Sequence, residues 1–431
     1  MTLRETALWL QDFMMNGSEV RGNMRDIENI VELRSPVPEL LEEKRLNELM
    51  AYVVENVPYY EKFRQTDFYG FPVVNKMTIR ENEKEFMARN FDITKAKGVT
   101  TSGSTGTPFT VYHDKKKRLR HSADNLFFMK MAGYNIGSPL YYMRVWNKMC
   151  RHGRLSAFLT NIKQIEIGNL SDSVISQIIN GLQKDKRRKA LLAFASTYEA
   201  FYQYLYRSGV SHIDANIETI ISMSEHLSDD TRKEIEKIFG SSVVSRYSNM
   251  ENGFIAQQPV GEDFYLINNA SYKVELLDLD RDVPVGLGKL GRIVVTDLFN
   301  YSMPLIRYDT GDLGMFGKVQ YRNRDVVALV SVEGRKADTI FQTNGNIASS
   351  YIITNTMWPY KEIRQWQFVQ VSKCDYKFII NGHIDDVQKQ ELENTLKEYL
   401  GEDAHFDYEF VNDIPVLSSG KRRMIVNQMT K

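Results

Sequence analysis

The run Thr100-Thr101-Ser102-Gly103-Ser104-Thr105-Gly106-Thr107-Pro108 joins serine and threonine hydroxyls to two glycines, with no bulky side chain between them. Glycine lets a backbone turn tightly and approach a ligand closely. Backbone N–H groups and hydroxyls are the donors that phosphate oxygens accept from. These residue types suit a loop around a polyanion, and four later segments could complete such a site. Tyr247-Ser248-Asn249-Met250-Glu251-Asn252-Gly253 places an acid four residues after an aromatic. Arg307-Tyr308-Asp309-Thr310-Gly311-Asp312-Leu313-Gly314 sets two acids around a glycine turn. Gly334-Arg335-Lys336-Ala337-Asp338 reads as a polar hinge-like element, and Ser418-Ser419-Gly420-Lys421-Arg422-Arg423 as a flexible basic loop. Each segment taken alone has a plain structural reading. Tyr247 could be a core tyrosine, Asp309 and Asp312 could cap a turn, and the basic stretch around Lys421 could be a solvated tail.

Two other spacings fail on context. Gly286-Leu287-Gly288-Lys289-Leu290-Gly291 matches G-x-G-x-x-G, but Pro284 precedes it and a strand-like run, Arg292 to Thr296, follows. A dinucleotide loop needs a strand before and a helix after, so this is read as a glycine-rich turn entering a strand. In the Thr100–Pro108 loop, Gly103 has neither a second glycine five residues on nor the Lys-Ser/Thr of a P-loop. Ser104 also has a serine two places before it, where a nucleophile elbow has glycine.

The elements that must position these segments follow from periodicity. Residues 1 to about 95 read as mainly helical. Leu46, Leu49, Met50, Val53 and Val54 share one side of a helix that Pro58 ends or kinks. Phe71-Pro72-Val73-Val74 is extended, and a charged helix is expected over Arg80 to Arg89. Phe109 to His113 is a strand, which makes the hydroxyl-rich loop a hairpin turn. Ile217 to Ile221 and Val243 to Tyr247 are strands on either side of a helix over Ser228 to Phe239, capped by Ser228 and Asp229 and ended by Gly240. Short strands fill Tyr265 to Gly314. After about Gly334 the order is strand, strand, helix (Asp385 to Leu400), strand, then Pro415 and a basic end. The expected fold class is α/β, with mixed sheets covered by helices. The expected domains are a large N-terminal domain over 1–333, its first 95 residues a mainly helical leader, and a small mobile α+β domain over 334–431.

Composition limits the functions available. Of 431 residues, 42% are hydrophobic and 26% charged, an ordinary globular balance. Lys+Arg and Asp+Glu stand at 55 each, which argues against a nucleic-acid partner, whose footprint is a basic excess. Two cysteines, Cys150 and Cys374, suggest neither a disulfide framework nor a thiolate zinc site. No basic leader with an apolar run opens the chain, and no run is long enough to span a membrane. A cytoplasmic protein is the expectation.

The joint order of the motifs resembles the adenylate-forming superfamily of acyl-CoA synthetases, luciferases and peptide-synthetase adenylation domains. Within it the chain is most similar to phenylacetate–coenzyme A ligases and the related CapK-like proteins. Val57-Pro58-Tyr59-Tyr60 and Phe71-Pro72-Val73-Val74-Asn75-Lys76 resemble that branch's leader helices. Thr101 to Pro108 resembles its phosphate loop, and Ser222-Met223-Ser224-Glu225 the segment lining its adenine pocket. Tyr247 to Glu251 resembles its aromatic–acid motif, and Tyr308 to Asp312 its ribose motif. Gly334-Arg335 resembles the start of its C-terminal domain, and Pro415 to Lys421 its catalytic-lysine loop.

The resemblance implies a two-step reaction using ATP and Mg²⁺. A small-molecule carboxylate is first adenylated with release of pyrophosphate, and the acyl group then passes to a thiol, either CoA or a carrier. Amide formation with an amine acceptor and a catalytically silent nucleotide-binding protein are the alternatives. By resemblance, Thr101, Ser102, Gly103, Ser104, Thr105 and Gly106 grip the β/γ-phosphates. Ser224, Glu225, Tyr247, Ser248 and Asn249 surround adenine, with Tyr247 stacking on it. Asp312 accepts from the ribose hydroxyls, Arg335 contacts ribose or phosphates, Glu251 holds Mg²⁺, and Lys421 sits between the acid and the α-phosphate. The C-terminal domain rotates between half-reactions, and a homodimer is compatible. Some positions depart from the pattern. Thr107 stands where the phosphate loop often has lysine, Ser248 where glycine usually follows the tyrosine, and Ala337 where the hinge often has its first acid. An acyl pocket is expected between about Tyr141 and Tyr247. There the tract from Tyr141 to Arg154 suits an aromatic or anionic acyl group, or else is a strand with a solvated loop. His113, His152 and His226 are read as structural.

Overall fold

The computed structural model describes residues 2–32, 38–101, 109–146, 160–168, 170–335, 340–345, 347–348, 353, 356–357, 359–415 and 423–429. The chain opens with helices α1 (Leu3–Asn16), α2 (Glu19–Val31), α3 (Pro38–Asn56) and α4 (Lys76–Glu81). Strands β1 (Lys97–Thr101) and β2 (Phe109–His113) follow, then α5 (Lys115–Met131), β3 (Leu140–Arg144), β4 (Ile162–Glu166), α6 (Asp172–Lys184), β5 (Lys189–Phe194), α7 (Ala195–Arg207), β6 (Ile217–Met223) and α8 (Asp229–Phe239). Next come β7 (Val243–Asn249), β8 (Gly253–Gln257), β9 (Leu266–Ile267), β10 (Tyr272–Leu277), β11 (Leu290–Asp297), β12 (Tyr308–Tyr321) and β13 (Arg324–Arg335). The chain closes with β14 (Ile340–Phe341), β15 (Ile347–Ala348), β16 (Ile363–Gln370), β17 (Asp375–Gly382), α9 (Asp386–Leu400), β18 (His405–Phe410) and β19 (Ile425–Asn427).

Two compact units form. One joins residues 1–137 to 246–332, and the other joins 138–245 to 333–431. This partition differs from the sequence expectation of 1–333 and 334–431.

In the first unit, β1 and β2 make an antiparallel hairpin with Thr101 opposite Phe109 and Lys97 opposite His113. Strands β10, β11, β12 and β13 form a sheet in that order. β10 pairs antiparallel with β11, and β11 antiparallel with β12. The leader helices bury one face each. Leu46, Leu49 and Val53 of α3 join Val57, Tyr60, Phe71, Val74 and Tyr308 in one core, with Met50 and Val54 packed at its edge. The residue after Phe71-Pro72-Val73, Val74, bridges to Tyr308 in parallel. That bridge ties the leader to the start of β12.

In the second unit, β4, β3, β5 and β6 lie side by side and parallel, and β7 follows in the sheet order. β7 passes from one unit to the other: its end, from Arg246, pairs antiparallel with β8. Residues 333–431 contribute a second sheet in the order β18, β17, β16, β19, over which α9 buries Leu392, Leu396 and Leu400. Among the described residues no helix is long and apolar enough to cross a membrane.

Local chemistry sets the element ends. The Ser228 hydroxyl accepts from Thr231 N at 3.2 Å and starts α8, and Gly240, at φ +63°, ends it. Asp385 and Gln388 form a capping box on α9. The helix expected over Arg80 to Arg89 starts earlier and is shorter. Asn75 Oδ1 accepts from Met77 N (2.9 Å) and Thr78 N (3.0 Å), so the helix begins at Lys76, and Asn82 ends it. The Gly286–Gly291 spacing is a turn feeding β11, as its flanks implied. A Cβ at Gly291 would lie 2.7 Å from the Leu277 carbonyl oxygen, so the close approach of β11 to β10 there requires glycine.

Candidate functional site

Glu251 lies in the turn between β7 and β8. Asn249 Oδ1 accepts from Asn252 N at 2.8 Å and shapes this turn. The Glu251 side chain is 3% exposed. A carboxylate removed from water that far needs partners that favour its charge. Two converge on Oε1: the Lys76 ammonium at 2.8 Å and the Tyr308 hydroxyl, which donates at 2.9 Å. Burial raises the Tyr308 phenol well above its ordinary value, and the Glu251 charge adds to the shift, so Tyr308 stays a donor. The other oxygen, Oε2, makes no hydrogen bond to a described residue. His113 Nε2 lies 2.8 Å from the Glu251 carbonyl oxygen. Burial, then the nearby Lys117 charge, lower the His113 imidazole to about 4. It is neutral, and because a carbonyl only accepts, Nε2 carries its one hydrogen.

Tyr247 and Asp312 form the second contact between motifs. The Tyr247 hydroxyl donates to Asp312 Oδ2 at 2.9 Å and lies 3.3 Å from Thr310 Oγ1. Thr310 Oγ1 in turn donates to the Ile293 carbonyl and accepts from Asp312 N. Burial raises the Tyr247 phenol well above its usual value, and the Asp312 charge adds to it. Gly311, at φ +80°, lies within β12, in the irregular stretch against β11 between Asp309 and Asp312. Asp309 is occupied structurally, since Oδ1 accepts from Gly311 N at 2.9 Å and Oδ2 pairs with Arg292 at 2.6 Å. A register shift between Tyr247 and Ser248 against β8 turns the end of β7, so Ser248 and Asn249 are half-buried beside the Glu251 turn.

The leader is pinned to this site by main chain and by one arginine. Val74 N donates to the Arg307 carbonyl at 3.0 Å, and Asp309 N donates to the Val74 carbonyl at 2.8 Å. Arg307, at φ +48°, is 3% exposed. Its guanidinium grips both Glu275 oxygens and donates to the carbonyls of Tyr69 and Phe71. This pairing fixes the approach of Lys76 to Glu251.

The remaining expected site residues divide by position. Thr101 ends β1 and is described by its backbone alone, and Ser102, Gly103, Ser104, Thr105 and Gly106 lie outside the described residues. Arg335 ends β13 and its side chain is outside them, as is Lys421. Ser224 and Glu225 belong to the second unit. Ser224 takes a left-handed φ of +70°, and Glu225 Oε2 accepts from Ser196 N at 3.0 Å. Two surface clefts in the fold, of about 410 Å³ beside Lys130 and Tyr321 and about 570 Å³ beside Arg364 and His383, contain none of the motif residues. Lys76 and Tyr308 carry no role of their own in the motif reading, although both stand in motif segments.

Among the described residues no group of three or more His, Cys, Asp or Glu side chains could hold a metal. Mg²⁺ takes one or two carboxylates and completes its shell with phosphate and water. Glu251 has the hard oxygen such an ion needs, with Oε2 left for it while Oε1 serves Lys76 and Tyr308.

Comparison with known proteins shows what the chain is similar to. Residues 340–428 match the model of the CapK C-terminal domain. Protein CapK of Staphylococcus aureus is 25% identical over 419 residues, covering 90% of this chain and 89% of that protein. Phenylacetate-coenzyme A ligase of Thermus thermophilus is 24% identical over 299 residues, covering 63% of this chain and 64% of that protein. Among solved structures, 2-hydroxyisobutyryl-CoA ligase in the postadenylation state in complex with R3-HIB-AMP is similar at TM-score 0.70 and 15% identity, over 90% of this chain and 89% of that one. ATP-bound MatB from Rhodopseudomonas palustris is similar at TM-score 0.53 and 16% identity, over 76% and 66% of the two chains. The chain is thus similar along most of its length to protein CapK, matches the CapK C-terminal domain over residues 340–428, and has a fold similar to that of these ligase structures.

Proposed function

We propose that this chain is an ATP- and Mg²⁺-dependent ligase that activates a small carboxylic acid and passes the acyl group to a thiol, CoA or a carrier. The observation that carries the reading is the meeting of three separate segments in one polar cluster. Lys76 and Tyr308 both lie on Glu251, and Tyr247 on Asp312, at 2.8 to 2.9 Å. In the first step a carboxylate oxygen attacks the α-phosphorus, the bond to the bridging β-oxygen breaks, and pyrophosphate leaves. In the second a thiolate attacks the acyl carbon and AMP leaves.

Each residue has its part in this chemistry. Asp312 accepts from the ribose hydroxyls while Tyr247 uses one of its lone pairs and holds its orientation. A carboxylate has about four such sites, so both roles are compatible. Tyr247, Ser248, Asn249, Ser224 and Glu225 surround the base. Thr101 to Gly106 donate to the β/γ-phosphates. Glu251 holds Mg²⁺, which when bound neutralises phosphate charge, and Lys76 supplies the cation that Thr107 does not. Lys421 brings an ammonium between the two anions at the reacting centre, where fixed charge lowers the barrier most. Arg335 contacts ribose or phosphate. The segment 334–431 is proposed as the domain that presents Lys421 and then turns for thiol transfer.

Acid-dependent exchange of labelled pyrophosphate into ATP, run over a broad panel of acids, tests the first step. Exchange with one class of acid is the expected result, and CoA or a pantetheine carrier then discharges the loaded enzyme. Discharge by amines alone would move the reading to amide formation. ATP binding without exchange for any acid would make the chain a silent nucleotide-binding protein.

A further inference from the structure

The hairpin that carries residues 102–108 and the turn that carries Glu251 are separate pieces of chain. In the first unit one side chain joins their bases. His113 is the last residue of β2, paired across the hairpin with Lys97, and it is 6% exposed. Its Nε2 hydrogen is given to the Glu251 carbonyl at 2.8 Å. We infer that His113 is a positioning residue for the activation step, fastening the Glu251 turn to the end of β2 so that the carboxylate keeps its place; this rests on the role proposed for Glu251 above.

The surroundings make His113 a rigid strut. On one side of it, the Tyr112 carbonyl accepts from Ser302 Oγ (2.6 Å) and Asn300 Nδ2 (3.1 Å). On the other, Asp114 caps α5 through Lys117 N and accepts from Tyr301 N at 2.9 Å. The hairpin base therefore cannot swing. One helical turn further on, Lys117 Nζ pairs with Asp297 at 2.6 Å and donates to the Tyr272 hydroxyl at 2.9 Å, and that hydroxyl donates to the Asn252 carbonyl. Two successive carbonyls of the Glu251 turn are thus held, one by His113 of β2 and the next by Tyr272 of β10. The next residue, Gly253, has φ +101°, and a Cβ there would lie 2.5 Å from His121 Nδ1. The two peptide planes that follow Glu251 are held, which restrains its backbone on the C-terminal side.

Three full-length variants test the inference. His113→Leu keeps bulk and removes the donor. His113→Gln restores an N–H donor at about the distance of Nε2. Tyr272→Phe removes the second clamp with the ring kept. In pyrophosphate exchange, His113→Leu should lower kcat at least thirtyfold and raise the half-saturating Mg²⁺ about tenfold, with KM for ATP within threefold. His113→Gln should stay within about threefold of wild type throughout. Tyr272→Phe should shift Mg²⁺ dependence in the same direction by a few-fold. A folded His113→Leu protein with wild-type exchange and Mg²⁺ dependence overturns the inference, and so does a Gln variant as poor as Leu. Should His113→Leu not fold, an unchanged Mg²⁺ dependence in Tyr272→Phe overturns it. Wild-type protein without exchange for any acid rejects the proposed reaction instead. The strut is then read by calorimetry of ATP with and without Mg²⁺, where His113→Leu must lose the Mg²⁺-dependent part of the affinity and His113→Gln must keep it.

Discussion

Tyr247 donates its phenolic hydrogen to Asp312 across 2.9 Å, although 65 residues separate them in the chain. The aromatic–acid segment and the glycine-turn segment are therefore one structure. Whatever sits against the Tyr247 ring is placed relative to whatever Asp312 accepts from. A base stacked on the ring and a sugar bonded to the carboxylate are the two halves of a nucleoside, which is the relationship the proposed function needs.

Tyr247→Phe keeps the ring and removes this hydrogen bond. A hydrogen bond to a charged group is worth about 1.5–3 kcal/mol, so ATP affinity measured by calorimetry should fall about tenfold. Asp312→Ala should weaken it further, by unpairing the ribose hydroxyls. Unchanged affinity in both variants would remove the ribose role from Asp312.

Lys76→Met removes the ammonium 2.8 Å from Glu251. Pyrophosphate exchange should drop at least a hundredfold, in line with the loss of a charge-stabilising group, while the circular dichroism spectrum stays that of wild type. Exchange within threefold of wild type would show that Lys76 serves Glu251 only as a structural partner.

The Lys117–Asp297 pair is 0% and 1% exposed. Removing one partner strands the other charge inside the fold, which typically costs about 3–5 kcal/mol. Lys117→Met should lower the thermal midpoint by several degrees, and the double change Lys117→Met with Asp297→Leu should recover much of the loss. A double variant less stable than either single one would contradict this reading of the pair.

Much of this architecture is legible locally, and the exceptions share a cause. The α8 limits follow from Ser228 and Gly240, β2 from a short β-type run, and Glu251 and Asp312 from motif order. Each of these signals sits within a few residues of the feature it marks. The helix expected over Arg80 to Arg89 is misplaced because charge periodicity outweighs the Asn75 cap, which starts the helix earlier. Lys76 stands in a motif segment without a role because its partner lies far along the chain, and no spacing records an ion pair made through a parallel bridge at Val74. His113 reads as structural, which its burial supports, while its acceptor, the Glu251 carbonyl, leaves no trace in side-chain sequence.

Besides His113, burial lowers two further histidines strongly, His121 to about 3 and His226 to about 4. Their ordinary value is about 6.5, so between that pH and their folded values the unfolded chain binds protons that the folded chain refuses. Their contribution is fully present above pH 6.5 and is lost as pH falls toward 4, with a slope of at most about 2.7 kcal/mol per pH unit from the two together. The thermal midpoint should fall over this window, and His226→Phe should flatten the fall. A midpoint independent of pH from 6.5 to 4 would contradict the neutral burial of both rings.

The most direct measurement of the central claim follows oxygen. An acid that supports exchange is labelled with ¹⁸O in its carboxylate and turned over with ATP and the thiol, and the nucleotide product is weighed by mass spectrometry. Adenylation predicts AMP carrying one ¹⁸O from the acid, because the carboxylate oxygen stays on the α-phosphorus when sulfur takes the acyl group. Unlabelled AMP, or ADP with the label in inorganic phosphate, would contradict it.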